Sequence, residues 1–156
     1  MSGAPRFDIA QKTACDDSGL ADLLIEMQAH YGGDAPPREA IVSDLRALPA
    51  GMRVLVAREA GRVAGFAFFV GQYPGPGLKR GLYLKELYVS AASRGRGVGG
   101  ALMATLLDLA VREGHARLDF TAAQENAALM AFYARFGAKR LTDRSFFRLT
   151  LDAANG

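Results

Sequence analysis

The chain is poor in cysteine, and this scarcity limits both its chemistry and its surroundings. Cys15 is the one cysteine among 156 residues, so no internal disulfide bond can form. Such a composition is typical of a protein that works in the reducing cytoplasm. Because no motif places a base beside Cys15, we expect its side chain to be a small buried apolar group and not a nucleophile.

Long apolar segments and clustered charge are also missing. No apolar run reaches the roughly 18 residues of a membrane-spanning helix, and the first residues lack the apolar core of a signal peptide. The net charge is +3, but Lys and Arg are scattered and form no run or stripe typical of nucleic-acid binders. We therefore expect no membrane partner, no nucleic-acid partner and no metal, and only Arg94 and Arg96 concentrate positive charge.

The hydrophobic pattern predicts a single domain over residues 1–156 that alternates helices and strands. The predicted order is β-α-α-β-β-β-α-β-α-β-β, with antiparallel hairpins first and one parallel crossover later. This order indicates an α+β fold in three layers, with a mixed, mostly antiparallel sheet of six to seven strands and about four helices. The predicted strands span residues 6–13, 52–58, 63–71, 82–90, 116–122, 138–141 and 146–151, and the two later helices span 98–113 and 126–136.

The most informative segment is Leu82–Met103, which reads as a strand, a glycine-rich turn and the start of a helix. Glycines let the backbone approach a ligand closely, and the first amides of a helix form an anion site. Arg94 and Arg96 add fixed positive charge within the same turn. The segment therefore predicts a binding site for a pyrophosphate.

One candidate ligand that contains a pyrophosphate is a dinucleotide, because Gly95-x-Gly97-x-x-Gly100 follows a predicted strand and opens a helix. The position in the chain argues against it. That fingerprint belongs to the first turn of a repeated βαβ fold, and here it follows some ninety residues that are mostly antiparallel. A Walker loop is excluded because no Gly-Lys-Ser/Thr follows.

Read as Arg94-x-x-Gly97-x-Gly99, the turn resembles the acetyl-CoA pyrophosphate loop of the GCN5-related N-acetyltransferases. Residues 126–138, with Asn126, the pair Phe132-Tyr133, and Gly137-Ala138, resemble the second signature of that family. The order of elements matches the family fold over nearly the whole chain. Residues 82–89 look most like the polyamine and thialysine N-acetyltransferase branch, and residues 23–31 also resemble it.

The resemblance implies that the loop amides and Arg94 bind the pyrophosphate of acetyl-CoA, and that the pantetheine pairs with the preceding strand. A backbone N–H there can also face the thioester oxygen. The residues that the resemblance assigns to acetyl-CoA are Leu87, Tyr88, Val89, Arg94, Gly95, Arg96, Gly97, Val98, Gly99, Gly100, Asn126, Phe132 and Tyr133.

Acetyl transfer to an amine moves two protons, which requires an acid and a base. Tyr133 matches the family tyrosine that protonates the leaving thiolate, since a phenol is protonated at neutral pH. Glu86 is the predicted base, acting on the amine directly or through water. The branch has Glu-Asp where this chain has Lys85-Glu86, so its catalytic glutamate falls on Lys85, and the neighbourhood of Lys85, His30 and water remain alternatives.

We therefore predict an N-acetyltransferase that moves an acetyl group from acetyl-CoA to a primary amine of a small molecule, such as a polyamine or amino acid. The predicted acceptor-binding residues are Glu26, Tyr31, Lys85 and Glu86. The alternatives are a non-catalytic acyl-CoA-binding sensor or interaction module, and an enzyme that acetylates a protein N-terminus or lysine. The resemblance also implies a homodimer, to which the apolar residues of 146–151 are candidate contributors.

Overall fold

The computed structural model describes residues 7–151, which belong to two compact units, Met1–Thr121 and Ala122–Gly156. The prediction of one domain over residues 1–156 stays a prediction. The helices of the first unit are α1 (Asp17–His30), α2 (Arg38–Arg46) and α3 (Val98–Arg112). Its strands are β1 (Phe7–Gln11), β2 (Arg53–Glu59), β3 (Arg62–Gln72), β4 (Gly81–Val89) and β5 (Leu118–Phe120). The second unit contains α4 (Ala127–Ala134).

Helix boundaries follow the local signals in the sequence. Gly32, with φ +76°, follows the C-terminal end of α1, and Gly114, with φ +78°, follows that of α3. Pro37 precedes the first residue of α2, where its missing N–H costs nothing. The predicted first strand begins at Arg6, which lies outside the described residues.

The sheet has five strands in the order β1-β2-β3-β4-β5. The first three pairs are antiparallel, and β4 pairs with β5 in parallel through the crossover helix α3. This arrangement confirms the predicted hairpins and the predicted parallel unit. Antiparallel neighbours joined by tight turns need little chain, whereas the parallel pair needs a helix to return the chain to the same end of the sheet.

Helices cover both faces of the sheet. On β3, Phe66 belongs to the apolar cluster under α1 and α2, while a Cβ on Gly65 would lie 3.2 Å from Val98 and Leu102 of α3. Because successive strand residues point to opposite faces, α3 lies on the face opposite α1 and α2. The predicted three-layer α+β fold is thereby confirmed. The cluster under α1 and α2 consists of Leu20, Ala21, Leu23, Met27, Ile41, Leu45, Val54, Val56, Phe66, Phe68 and Tyr88.

The last two predicted strands are wrong. Residues 138–141 and 146–151 have no regular secondary structure, so the described sheet has five strands and not six to seven. Alternating apolar residues make a strand only where another strand supplies hydrogen bonds and a surface covers the apolar side. Among the described residues, Phe147 and Leu149 are 87% and 90% exposed, so neither has the covered apolar side that a strand needs. The fifth strand is also shorter than predicted, three residues in place of 116–122.

Two further expectations concern Cys15 and membranes. Cys15 is exposed in a 3-10 turn before α1, so the expectation of a buried cysteine is wrong. Its neighbours Asp16 and Asp17 take the buried positions instead and pair with Arg58 and Lys12.

Within residues 7–151, no helix is both long and apolar enough to cross a membrane.

Candidate active site

A β-bulge in β4 decides which way the candidate base points. Phe68 of β3 pairs with Glu86, but the next residue, Phe69, pairs with Leu84, so Lys85 is one extra residue on β4. Directly paired residues in an antiparallel sheet share a face. Glu86 therefore lies on the face of Phe68, beneath α1 and α2, while the side chain of Lys85 is 56% exposed.

Glu86 is one of the residues that line an apolar cavity of about 180 Å³. Partial burial raises the pKa of Glu86 above its usual value, and the nearby positive charge of Lys85 opposes that rise. A carboxylate in this setting holds a proton more readily than an exposed one, as a general base should. The cavity is lined by Leu24, Ile41, Asp44, Leu45, Leu48, Phe68, Lys85 and Glu86.

The C-terminal end of α1 brings aromatic rings to the same face. The His30 ring lies 5.4 Å from the Tyr31 ring and 6.0 Å from the Tyr88 ring, between centroids. Partial burial, and then the negative charge of Glu86, raise the pKa of Tyr31. Tyr31 is nevertheless 62% exposed, so its hydroxyl remains within reach of a ligand. The structure therefore brings Tyr31, Lys85 and Glu86 of the predicted acceptor site together.

Glu26, the fourth predicted acceptor residue, makes a different set of contacts. Its carboxylate accepts hydrogen bonds from the Tyr88 hydroxyl at 2.7 Å, the Ala91 amide at 3.1 Å and the Ser90 hydroxyl at 3.3 Å. Burial tends to raise the pKa of Glu26, but these three donors outweigh it and the pKa is lowered. Both carboxylate oxygens are thus engaged by the end of β4 and the start of the following loop.

Tyr88 connects Glu26 to the first arginine of the loop. Arg94 Nη2 donates to the Tyr88 hydroxyl oxygen at 3.0 Å, and Arg94 Nε donates to the Val89 carbonyl at 3.1 Å. The guanidinium carbon also lies 5.3 Å from the centre of the Tyr88 ring. Burial, followed by the hydrogen bond to Glu26, raises the pKa of Tyr88 to about 12. Its phenol is therefore protonated at any physiological pH.

The glycine loop has the backbone geometry expected for an anion site. Gly95 and Gly97 have φ of +75° and +83°, a region in which other residues are strained. The first amides of any helix lack an intrahelical partner, and because Gly97 precedes α3 and no side chain caps it, those amides have no side-chain partner either. These amides belong to Val98, Gly99 and Gly100, the positions assigned to the pyrophosphate.

Arg96 is held from the other side of the loop by Glu59, a residue that no sequence pattern predicts. Its guanidinium makes two hydrogen bonds to the Glu59 carboxylate at the end of β2, one of them 2.7 Å long, and a third to the Ala92 carbonyl at 3.2 Å. The sequence offers no signal for this pair, because 37 residues separate the partners. The fold alone brings the β2–β3 hairpin beside the loop.

The edge of β4 nearest the loop has no partner strand in the described chain. Pairing with β5 covers Leu82 to Leu84 and ends there. The Ser90 amide donates to the Ala64 carbonyl on β3, so the backbone groups of Val89 and Leu87, which alternate with it, point to the opposite edge. An extended ligand can therefore add to β4 along Leu87–Val89.

The second unit has its own ordered segment. The Asn126 side chain accepts a hydrogen bond from the Leu129 amide at 3.0 Å and so caps α4. Tyr133 is the buried residue of this helix, and its ring packs 5.0 Å from that of Phe132. Gly137, with φ +79°, follows the helix. In the second signature, Asn126 thus caps the start of α4, Tyr133 is buried along it, and Gly137 follows its end. The roles predicted for Asn126, Phe132 and Tyr133 toward acetyl-CoA stay predictions.

Across residues 7–151, no cluster of three His, Cys, Asp or Glu residues is arranged to hold a metal ion. The side chains of Glu26, Tyr88 and Arg94 are directed at one another, and that of Arg96 is directed at Glu59. The arrangement suits an organic ligand with an extended arm and an anionic group.

Comparison with known proteins agrees with this geometry. The model of the Acetyltransferase (GNAT) family matches residues 20–138, and the chain belongs to that family. An integron cassette protein from the mobile metagenome of V. cholerae has a TM-score of 0.86 and 28% identity, over 96% of this chain and 95% of that one.

Two curated plant proteins match the sequence over 91 residues at 31% identity. They are the L-ornithine N5-acetyltransferase NATA1 of Arabidopsis thaliana and the tyramine N-feruloyltransferase 10/30 of Nicotiana tabacum. In both cases the match covers 58% of this chain and 40% of the relative. The chain therefore aligns with about two fifths of the length of these relatives.

Proposed function

We propose that the protein is an N-acetyltransferase that transfers the acetyl group of acetyl-CoA to a primary amine of a small molecule by direct attack in a ternary complex. The open edge of β4 at Leu87–Val89, which leads into the glycine loop and the free amides of α3, carries this proposal. An extended pantetheine fits the first feature and a pyrophosphate fits the second. Family membership supports acetyl-CoA as the donor.

In the proposed reaction the amine nitrogen forms a bond to the acetyl carbon, and the bond from that carbon to the CoA sulfur breaks. Glu86 takes the proton that the ammonium group must lose, directly or through water, and its raised pKa favours this role. Tyr133 donates a proton to the leaving thiolate. A strand amide of Leu87–Val89 donates a hydrogen bond to the thioester oxygen, where negative charge develops.

The acceptor in this proposal is a cation with an apolar body. Its ammonium group pairs with Glu86 and Asp44. Its carbon chain or ring packs against the apolar residues that line the cavity beneath α1 and α2. Tyr31, whose pKa is raised in part by the charge of Glu86, is a further contact for the acceptor. Ornithine and tyramine, named in the two curated relatives, are both primary amines of low molecular weight. The proposed location is the cytoplasm.

A panel of amines tests the activity. Polyamines, amino acids and arylalkylamines are each mixed with acetyl-CoA, and release of the CoA thiol is measured for the parent and for Tyr133→Phe. We expect at least one amine to turn over and the Phe variant to be slower by about 10²-fold or more, because the thiolate then leaves without a proton donor. Equal rates would remove Tyr133 from the mechanism, and binding of acetyl-CoA without turnover of any amine would favour a sensor module.

We also propose that the protein is a homodimer. Phe146, Phe147, Leu149 and Leu151 are between 67% and 90% exposed, more apolar surface than a short terminal segment normally leaves in water. A second copy that covers these side chains accounts for their apolar character. Sedimentation should give a dimer for the parent and a monomer for Phe147→Asp/Leu149→Asp, whereas a monomeric parent would contradict the proposal.

A further inference from the structure

We propose that Glu26 is a positioning residue: through Tyr88 it fixes Arg94 and the start of the glycine loop, and thereby sets the affinity for acetyl-CoA. This inference rests on the proposed function, because it assumes that the loop binds the donor. It gives Glu26 a different role from the acceptor-binding one that the sequence suggests.

The first argument is the direction of the contacts. All three donors to the Glu26 carboxylate come from one short stretch of chain, Tyr88, Ser90 and Ala91, where β4 gives way to the loop. Glu26 itself lies on α1, more than 60 residues earlier in the sequence. One side chain therefore ties the helix of the acceptor wall to the entrance of the loop. Because both its oxygens accept hydrogen bonds within the chain, little capacity remains for an ammonium group.

The second argument is the order of donors and acceptors. A phenol has one hydrogen, and Tyr88 gives it to Glu26 at 2.7 Å. The lone pairs of the same oxygen are therefore turned toward Arg94 Nη2, which donates to them at 3.0 Å. The Tyr88 hydroxyl group thus connects the Glu26 carboxylate to the Arg94 guanidinium by two consecutive hydrogen bonds. Hydrogen bonds that share a charged end are stronger than isolated neutral ones.

The third argument is what this arrangement does for Arg94. With Nη2 on Tyr88 and Nε on the Val89 carbonyl, the guanidinium plane is held at two points. A long side chain that is ordered beforehand loses less entropy when an anion binds beside it. Removal of the Tyr88 hydroxyl deletes one of these two contacts and removal of the Glu26 charge weakens it, so acetyl-CoA must then complete the ordering of this side chain.

The test compares Glu26→Gln and Tyr88→Phe with Asp22→Asn as the control. Asp22 lies one turn earlier on α1, is exposed and pairs with Arg38, so its variant removes the same charge without touching the loop. We measure the KM for acetyl-CoA, the KM for the amine, kcat, and the calorimetric affinity for CoA. Thermal unfolding checks that each variant is folded.

We expect both variants to weaken CoA binding and to raise the acetyl-CoA KM about fivefold or more, the loss of roughly one hydrogen bond to a charged group. The amine KM and kcat should change by much less, and the Asn control should match the parent. The double variant Glu26→Gln/Tyr88→Phe should bind CoA no more weakly than the single variant with the lower affinity. Both substitutions interrupt the same series of hydrogen bonds, so their effects should not add.

Other outcomes overturn the inference. If only the amine KM rises in Glu26→Gln, then Glu26 is an acceptor-binding residue. If both variants bind CoA like the parent, the network does not position the loop, although the proposed activity is unaffected. If Glu26→Gln does not fold, Tyr88→Phe decides alone, because its ring can still pack on Phe66 and His30. If the parent itself binds no CoA, both the donor assignment and this inference are wrong.

Discussion

Two glutamates, Glu26 on α1 and Glu86 on the face of β4 beneath α1 and α2, experience opposite environments. Glu26 accepts three hydrogen bonds, and its pKa is lowered despite partial burial. Glu86 lies at the apolar cavity, and burial raises its pKa. The pKa values of two identical side chains are thus shifted in opposite directions, because three donors hold Glu26 as a carboxylate, whereas partial burial of Glu86 outweighs the opposing charge of Lys85, 3.9 Å away. The first environment suits a permanent anion that organises structure, and the second suits a group that takes up a proton.

The largest expected effect is a loss of acetyl-CoA binding caused by a substitution in the glycine loop, which leaves Glu26 and Glu86 unchanged. Gly97→Glu should abolish acetyl-CoA binding, because a carboxylate at the start of α3 repels the pyrophosphate and φ +83° strains any side chain. No heavy atom lies within 4 Å of a Cβ built on Gly97, so the chain itself has room for the change.

Gly114→Glu is the matched control for this substitution. Gly114 has φ +78° and equally open surroundings, but it lies beyond the opposite end of α3. It therefore carries the same backbone strain without a negative charge near the loop. Calorimetry should find CoA bound by the Gly114 variant and not by the Gly97 variant; equal affinities would remove the loop from the donor site.

The next effect tests the role of Glu86 as a base. Glu86→Gln should lower kcat by about 10²-fold or more at neutral pH, because the amide cannot take a proton from the ammonium group. Asp22→Asn should leave kcat unchanged. In the parent, kcat/KM should fall as the pH falls through the raised pKa of Glu86, and this acidic limb should vanish in the Gln variant. A Gln variant with the kcat of the parent would assign the base to water or His30.

The smallest effect contrasts the two glutamates in stability. The folded pKa of Glu26 lies below its usual 4.5, so its stabilisation is present above that pH and is lost as the pH falls through the folded pKa. Glu86 has the opposite sign: its raised pKa favours the protonated form, and its contribution is lost as the pH rises through the folded pKa. At pH 7, Glu26→Gln should lower the free energy of unfolding by about 1 kcal/mol.

Glu86→Gln should leave that free energy unchanged or raise it, because a partly buried charge disappears. Urea unfolding at pH 7 and near pH 4 measures both variants. If the two substitutions destabilise the protein equally at pH 7, the contrast between the two environments is wrong.

Local sequence signals predicted most of the fold. Hydrophobic periods, together with prolines and glycines such as Pro37 and Gly32, predicted the described helices and the first five strands. These signals act over a few residues, so the sequence displays them directly. The strands predicted at 138–141 and 146–151 failed because a strand depends on a partner, which local pattern does not reveal.

The same division between local and long-range signals holds for the candidate site. The loop at Arg94–Gly100 carries its own chemistry in its glycines and arginines, and its backbone has the expected form. The contacts of Glu26 with Tyr88 and of Glu59 with Arg96 were not predictable, since each joins segments far apart in the chain. Only the packing of α1 and of the β2–β3 hairpin creates them.

The sequence by itself determined the order of elements as far as α4, the glycine loop and the family. The tertiary structure decided which way the residues of β4 face. A single extra residue, Lys85, shifts the register between β3 and β4 and turns Glu86 and Tyr88 toward α1 and α2. A shift of one position in a strand moves every later side chain to the other face, and only strand pairing fixes that register.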